Sequence, residues 1–533
     1  MFDVVIRNGM IFDGSGAGPE QLDVAVKDGR VVAVGAALAG ESAQVIDARG
    51  RYVSPGFIDP HTHSDMSLLV EPDGDSKLRQ GVTTEVVGNC GDTPAPAYGQ
   101  WITELQNDRF ANTGVEVTWR GFGDYVARLK ELRPIVNVVP LVGHGAIRGS
   151  VLGIDDRAPD VGEMRRMKEL TQAAMEEGAW GMSSGLIYPP GVYAQTDELV
   201  ELAKVVGRYG GLYASHVRGE GRTVLDAVNE AIDIGVQAQV PVQVSHVKIC
   251  GYRTFDRIDE LMRIIDDSEN ADVPVNYDQY PYIASSTTLL VVLPEWTYVG
   301  GVDASTKRLA DPEVRARLRR YMEEDPAAFW DNAGTKDWDG VLITDYAPDR
   351  SYQGKSVGEV ARLLNRDGLE TLLDLLVDAN CVVSCVLFDQ DESILRRIMR
   401  HSRVMVGSDG YSVKKDGYVN KRAMHPRSYG TFARVLGHWT RDEGVLEWPQ
   451  AIHKMTGLPA QTFGLGDRGV LRTGAWADIV VFDPQTVIDK ATFTDAHQYA
   501  EGIDYVLVNG KFAVAAGETT GTRAGEVLPP PRG

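Results

Sequence analysis

The sequence predicts a parallel (β/α)8 barrel with a small β-sandwich domain built from both chain ends and an inserted lid subdomain. Three observations predict it. Eight apolar, strand-like runs follow one another through the middle of the chain, and helical patterns separate most of them. The two ends share a different texture of short strands and tight turns. One interval between the last two runs is too long for a single helix. The boundaries expected from these shifts are 1–54 plus 467–533 for the β domain, 55–466 for the barrel, and about 287–350 for the insertion.

From Phe2 to Val53 the chain reads as strands at Val4-Val-Ile6, Leu22–Lys27, Arg30–Val34 and Gln44–Ile46. Asn8-Gly9, Asp13-Gly14 and Asp28-Gly29 punctuate them, because Asn, Asp and Gly tolerate the positive φ of hairpin turns. Ala477–Phe482 and Tyr505–Phe512 repeat the idiom, and Val506-Leu-Val-Asn-Gly510 echoes Val5-Ile-Arg-Asn-Gly9. The two ends are therefore expected to share one domain. The Gly-, Thr- and Pro-rich tail after Gly517 is expected to be loosely ordered.

The barrel runs end at Asp59–His63, Thr83–Cys90, Val136–His144, Trp180–Ser184, Leu212–His216, Val240–His246, Val273–Tyr277 and Arg403–Asp409. Between them, Leu199, Leu202 and Val206 share one helix face, as do Val224, Val228, Ile232 and Val236. In such a barrel the active site sits at the C-terminal strand ends, where the polar residues of these runs fall. The insertion, with Trp296, Trp330 and Trp338, reads either as a wall over that site or as decoration; barrel rhythm is expected to resume from Gly354.

Composition narrows the partners. The apolar fraction of 43% and charged fraction of 24% suit a globular protein, and 533 residues suit a large barrel with an accessory domain. A net charge of −21 repels a polyanion, so no nucleic-acid partner is expected. No run of about 18 apolar residues is present, and Met1–Gly9 enters a strand pattern without a charged-then-apolar leader, so no membrane partner is expected. Cys90, Cys250, Cys381 and Cys385 are too few for a disulfide framework, which points to the cytoplasm. A homo-oligomer is compatible with all of this.

His61 and His63 lie two apart, so on a strand both imidazoles project from one face. Alone they are equally two polar residues at a strand end. Cys90, His216, His246 and Asp409 close other strands, and five N/S donors with one carboxylate on one rim make a chance arrangement improbable.

With these motifs in hand, the chain resembles the D-aminoacylase (N-acyl-D-amino-acid deacylase) family of the amidohydrolase superfamily. The resemblance rests on Pro55-Gly-Phe-Ile-Asp-Pro-His-Thr-His-Ser-Asp65 and, more discriminatingly, on Gly81-Val-Thr-Thr-Glu-Val-Val-Gly-Asn-Cys-Gly91. Leu141-Val-Gly-His-Gly145, Ser183–Gly191, Ser245-His-Val-Lys248, Tyr280-Pro-Tyr282, Gly407-Ser-Asp-Gly410 and His425-Pro-Arg427 also match. The resemblance implies a TIM-like barrel and a zinc-dependent hydrolase of linear N-acyl-D-amino acids. It implies that Cys90, His216 and His246 hold a tight Zn2+, that His61, His63 and Asp409 flank a weaker second position, and that Asp409 is the catalytic base. Lys248, Tyr280, Ser286 and Arg427 would anchor the substrate carboxylate, with Tyr188 in the substrate pocket. Neutral or hydrophobic D-amino acids are expected. An acidic substrate would need another cation such as Arg218 or Arg253. Cyclic-amide hydrolases of the hydantoinase or dihydroorotase kind are the nearest rival, and a non-catalytic assembly protein the rival from another class. Gly181-Met-Ser-Ser-Gly185 has no lysine where many amidohydrolases carry a metal-bridging one.

Two decoys fall away on local grounds. Ser183 sits in a Gly-x-Ser-x-Gly pattern, but Pro189-Pro190 follows where a nucleophile elbow needs a helix. Gly354-Lys-Ser356 lacks the earlier glycine of a phosphate loop, having Asp349 there. His144 is either a pocket residue or a satisfied barrel histidine.

Overall fold

The computed structural model describes residues 1–110, 113–418 and 422–531. Eight parallel strands form the barrel: β1 (Phe57–Asp59), β2 (Val82–Val87), β3 (Asn137–Pro140, continued by Val142–Gly143), β4 (Gly181–Gly185), β5 (Leu212–His216), β6 (Val242–Val244), β7 (Val275–Gln279) and β8 (Val404–Val406). Strand β1 pairs with β2 and β2 with β3, while β3 to β8 form a second run of neighbours. Backbone bonds just beyond the strands close the ring: Asp409 N donates to His61 O (2.8 Å) and His63 N to Gly410 O (2.9 Å). Every strand is buried on both faces except for one residue of β7, as a barrel wrapped by helices requires.

The helices follow local signals. Helix α1 (Val161–Glu176) starts at Asp160, whose side chain accepts from Glu163 N in a capping box. Helices α2 (Thr196–Gly207) and α3 (Val224–Ala238) bury the faces their apolar spacing marks, Leu199, Leu202 and Val206 on one and Val224 and Val228 on the other.

Strands from both chain ends enter one nine-stranded sheet, joined where Tyr52–Pro55 runs antiparallel to Ile479–Phe482. Alternation gives this sheet two buried faces. Ile479, Val481 and Leu507 pack with Val24 and Val53 inside the β domain. Val480, Phe482, Val506 and Val508 turn towards the barrel core with Phe57 and Phe432.

Two expectations are corrected. The tail after Gly517 is docked rather than loose. Val527 and Leu528 are buried, Val138 N donates to Glu526 O (2.8 Å), and Trp180 Nε1 donates to Leu528 O (3.0 Å). Its two apolar residues and its backbone find partners at the floor of the barrel. The insertion also extends past residue 350. Ser285–Thr288, Val341–Asp345 and Ser384–Leu387 form an antiparallel sheet. Helices Val357–Leu364 and Gly368–Asp378 direct Val357, Val360, Leu369, Leu372 and Leu376 into its separate core with Leu289, Leu309 and Phe329. Their amphipathic pattern is that of a barrel helix, but the core they face is the insertion's own.

Candidate metal centre and substrate site

The expected ligands converge on the barrel mouth. Cys90 Sγ is the hub, 3.4 Å from His61 Nε2, 3.6 Å from His246 Nε2 and 3.7 Å from His216 Nδ1. Asp409 Oδ1 lies 3.0 Å from His63 Nε2 and 3.5 Å from His61 Nε2. His61 therefore stands between the two expected ligand groups and touches both, so they are not separate clusters.

Local backbone geometry aims these groups. Cys90 (φ 53°), His246 (φ 35°) and Asp409 (φ 51°) all adopt the left-handed region that L residues rarely occupy. Ser183 helps to hold the turn that carries Cys90, because its hydroxyl donates to Gly88 O and accepts from Gly91 N (2.9 Å). That is the structural use of the residue in the Gly-x-Ser-x-Gly pattern.

The donor set fits a zinc ion. Zn–S near 2.3 Å and Zn–N near 2.0–2.1 Å in a tetrahedron give an S···N edge of about 3.5 Å, which the three distances to Cys90 bracket. The thiol is primed as well. Burial pushes the Cys90 pKa up, but the His61 charge and hydrogen bonds with His216, His246 and His61 outweigh it and hold the group well below the ordinary thiol range. For His61, burial works against the proton, while Asp278 and the Cys90 thiolate overcome it and raise the pKa to about 10. A thiolate ringed by imidazoles is a soft anionic cradle for a divalent metal.

Two carboxylates that strand-end reasoning misses stand behind the histidines. Asp278, on β7, lies 3.2 Å from His61 Nδ1 and also accepts from His246 N (2.8 Å) and Gln243 Nε2 (2.7 Å). Glu220 Oε1 lies 3.1 Å from His246 Nδ1. The only sequence signal for Glu220 is its place four residues after His216, in a loop flanked by glycines.

The anchor residues divide. Arg427 is buried, with Nη1 2.8 Å from Asp409 Oδ2 and its guanidinium 4.9 Å from the Tyr280 ring centroid. Its Nη2 donates to the Ser286 carbonyl (3.4 Å), so the first strand of the insertion borders the site. Tyr188 OH lies 3.1 Å from Thr287 Oγ1 on that strand, and its ring packs on His216. Tyr280 OH accepts from Gln390 Nε2 (3.1 Å). Lys248 is engaged elsewhere: its ammonium bonds Glu220 and lies 2.9 Å from His246 Nδ1 and 3.2 Å from His246 O. The trio of His216, Glu220 and His246, which could by itself cradle a metal, already holds the Lys248 cation.

Other candidates resolve structurally. His144 Nε2 bonds Glu198 (2.8 Å), which Arg148 also grips. Arg218 is bound to Glu230 and to the carbonyls of Val192 and Ala194. Arg253 donates to Tyr252 OH (3.0 Å) beside a groove of about 580 Å³ that Arg222, Asp256 and Asp331 also line. Among the described residues, no helix is long and apolar enough to cross a membrane.

A profile of the amidohydrolase family matches residues 44–514. The D-aminoacylase of Alcaligenes xylosoxydans xylosoxydans is 34% identical over 99% of this chain and 97% of its own length. The chain belongs to the D-aminoacylase family of amidohydrolases. A solved D-aminoacylase, described for its binuclear metal center, matches with a TM-score of 0.83 and 34% identity over 99% of this chain and 100% of that one. N-acyl-D-glutamate deacylase from Bordetella bronchiseptica, complexed with zinc and a phosphonate mimic of the tetrahedral intermediate, matches with a TM-score of 0.82 and 34% identity over 99% of each chain. With its His/Cys centre, the present chain is a metal-dependent amidohydrolase of that family.

Proposed function

We propose that this D-aminoacylase family member cleaves N-acyl-D-amino acids with neutral or hydrophobic side chains into a carboxylate and a free D-amino acid. Cys90, His216 and His246 would hold a tight Zn2+, with His61 shared towards a weaker position beside His63 and Asp409. The observation that carries the reading is the buried Arg427 Nη1. It lies 2.8 Å from Asp409 Oδ2 in a buried ion pair without hydrogen-bond alignment. A buried guanidinium beside a carboxylate on the metal rim is a suitable arrangement for receiving a substrate carboxylate next to a base.

Zinc, when bound, would acidify a water and polarise the amide carbonyl. Asp409 takes one proton from the attacking water and delivers it to the amide nitrogen as the C–N bond breaks, leaving a carboxylic acid and an amine. The acid's remaining water-derived proton passes to the amine to give carboxylate and ammonium. Arg427, backed by the Tyr280 ring, holds the α-carboxylate. Tyr188 and the half-exposed Tyr411, whose ring lies 6.0 Å from that of His63, offer apolar walls. The neutral preference is further supported by Arg218, whose charge is consumed by Glu230.

The test is hydrolysis of a panel of N-acetyl D- and L-amino acids, including D-glutamate and D-aspartate derivatives, alongside Asp409→Asn. Turnover of neutral D-substrates that collapses in Asp409→Asn with zinc retained is the expected result. Preferred cleavage of the acidic D-substrates would overturn the side-chain assignment, and full activity of Asp409→Asn would overturn the base.

A further inference from the structure

His216 and His246 turn opposite ring nitrogens to the same sulfur. His216 presents Nδ1 to Cys90 (3.7 Å), and His246 presents Nε2 (3.6 Å). Their remaining nitrogens face one oxygen, Glu220 Oε1, at 3.8 Å from His216 Nε2 and 3.1 Å from His246 Nδ1. His216 Nε2 is buried without a hydrogen-bond partner, and the Glu220 carboxylate is a charge facing it.

We propose that Glu220 is a positioning residue that sets the tautomers of His216 and His246 together, so that each ring offers its lone pair on the Cys90 side. The inference rests on the zinc reading above. A neutral imidazole carries one N–H, and a carboxylate holds that proton on the nitrogen facing it, leaving the other nitrogen free to ligate.

Lys248 makes the carboxylate necessary. Its ammonium lies 2.9 Å from the same His246 Nδ1. Unopposed, it would donate to that nitrogen and drive the ring proton to Nε2, the position that faces Cys90. Glu220 engages the ammonium and places Oε1 3.1 Å from Nδ1, within reach of a proton there, so that the cation beside the ring need not dictate its tautomer.

The loop is built to deliver this side chain. Cys250 N donates to Glu220 O (2.7 Å), stitching the loops after β5 and β6. A Cβ at Gly219 would sit 2.0 Å from Thr223 Oγ1, so a larger residue there would force that hydroxyl into another rotamer.

Zinc affinity by chelator competition and 15N-histidine NMR of the metal-free protein test the idea in Glu220→Gln and in Glu220→Gln/Lys248→Met. Glu220→Gln should bind zinc about 10–100-fold more weakly, measured on protein that circular dichroism shows to be folded, since the variant also leaves the buried Lys248 ammonium without its carboxylate. In the NMR spectrum at a pH where the rings are neutral, its His246 proton should move from Nδ1 to Nε2. Removing the lysine as well should recover part of the affinity, because no cation then opposes a proton on Nδ1. Unchanged tautomers in Glu220→Gln, or a double variant as weak as the single, would overturn the proposal. A wild-type protein that binds no zinc would instead remove the zinc reading beneath it, and the NMR arm separates the two failures.

Discussion

Arg427 Nη1 lies 2.8 Å from Asp409 Oδ2, so the residue proposed to anchor a substrate carboxylate already faces one that belongs to the protein. Burial pushes the Asp409 carboxyl up, but Arg427, the hydrogen bond from His63 and the charges of His61 and His246 outweigh it and hold the group well below the usual carboxylate range. A carboxyl held this low is ionised throughout the neutral range, as the proposed base must be. Losing the Arg427 charge leaves burial less opposed, so the pKa rises. In Arg427→Ala the acid limb of the kcat/KM profile should therefore move to higher pH. KM should rise about 10–100-fold, the equivalent of a charged hydrogen bond of about 1.5–3 kcal/mol. Steady-state kinetics across pH check both; an unmoved acid limb would show that Arg427 does not control the base.

Cys90→Ser changes one atom at the hub. A serine hydroxyl stays protonated at neutral pH, whereas the Cys90 thiol is held far below its ordinary range by the surrounding histidines. Zinc content after dialysis should fall well below the wild-type value, and turnover should fall with it. The barrel should still fold, because the Gly88–Gly91 turn is held through Ser183 rather than through the sulfur. Full zinc occupancy in Cys90→Ser would remove the sulfur from the ligand set.

The convergence of the six expected ligands was legible because barrel geometry puts strand-final side chains on one rim, and His61, Cys90, His216, His246 and Asp409 all follow strand patterns. Glu220 and Asp278 were not legible. Glu220 meets His246 through the closeness of two loops, which no local pattern encodes, and Asp278 acts from within a strand whose alternation looks like any other. The Lys248–Glu220 pair depends on the same closeness of two loops, which spacing along the chain does not show. The far boundary of the insertion escaped because Val357, Val360, Leu369 and Leu372 form the same stripe whichever core receives it.

The seam between β1 and β8 depends on a buried lysine. Lys77 is fully buried, and its ammonium lies 2.9 Å from Asp59 Oδ2 and bonds Ser408. Asp59 Oδ1 accepts from Ser408 N (2.9 Å) and His61 N (3.3 Å), tying this ion pair to both strands that carry site residues. Removing one partner of a buried pair costs about 3–5 kcal/mol. Lys77→Met should lower the unfolding free energy by that order in denaturant titrations, and kcat should fall because Asp409 follows Ser408 directly. Lys77→Met/Asp59→Asn should regain part of the stability, since no unpaired charge remains. A stability loss under about 1 kcal/mol in the single variant would show that the pair is not the seam's strap.

Lys454 gives the fold a pH dependence on the far side of neutrality. It closes the helix Trp448–Met455, and its buried amine donates to Val404 O (2.8 Å) and to His401 O. Burial lowers its pKa to about 7, whereas an unfolded lysine titrates near 10.4. Between these values the unfolded chain binds the extra proton, so unfolding becomes less favourable as pH rises and stability increases from about pH 7 towards pH 10. Below pH 7 both states are protonated, and the destabilisation from the buried charge is fully present. Urea titrations at several pH values should show this upward slope in the wild type and a flatter one in Lys454→Met. Equal slopes would mean that the bonds to His401 O and Val404 O keep the ammonium charged in the folded protein.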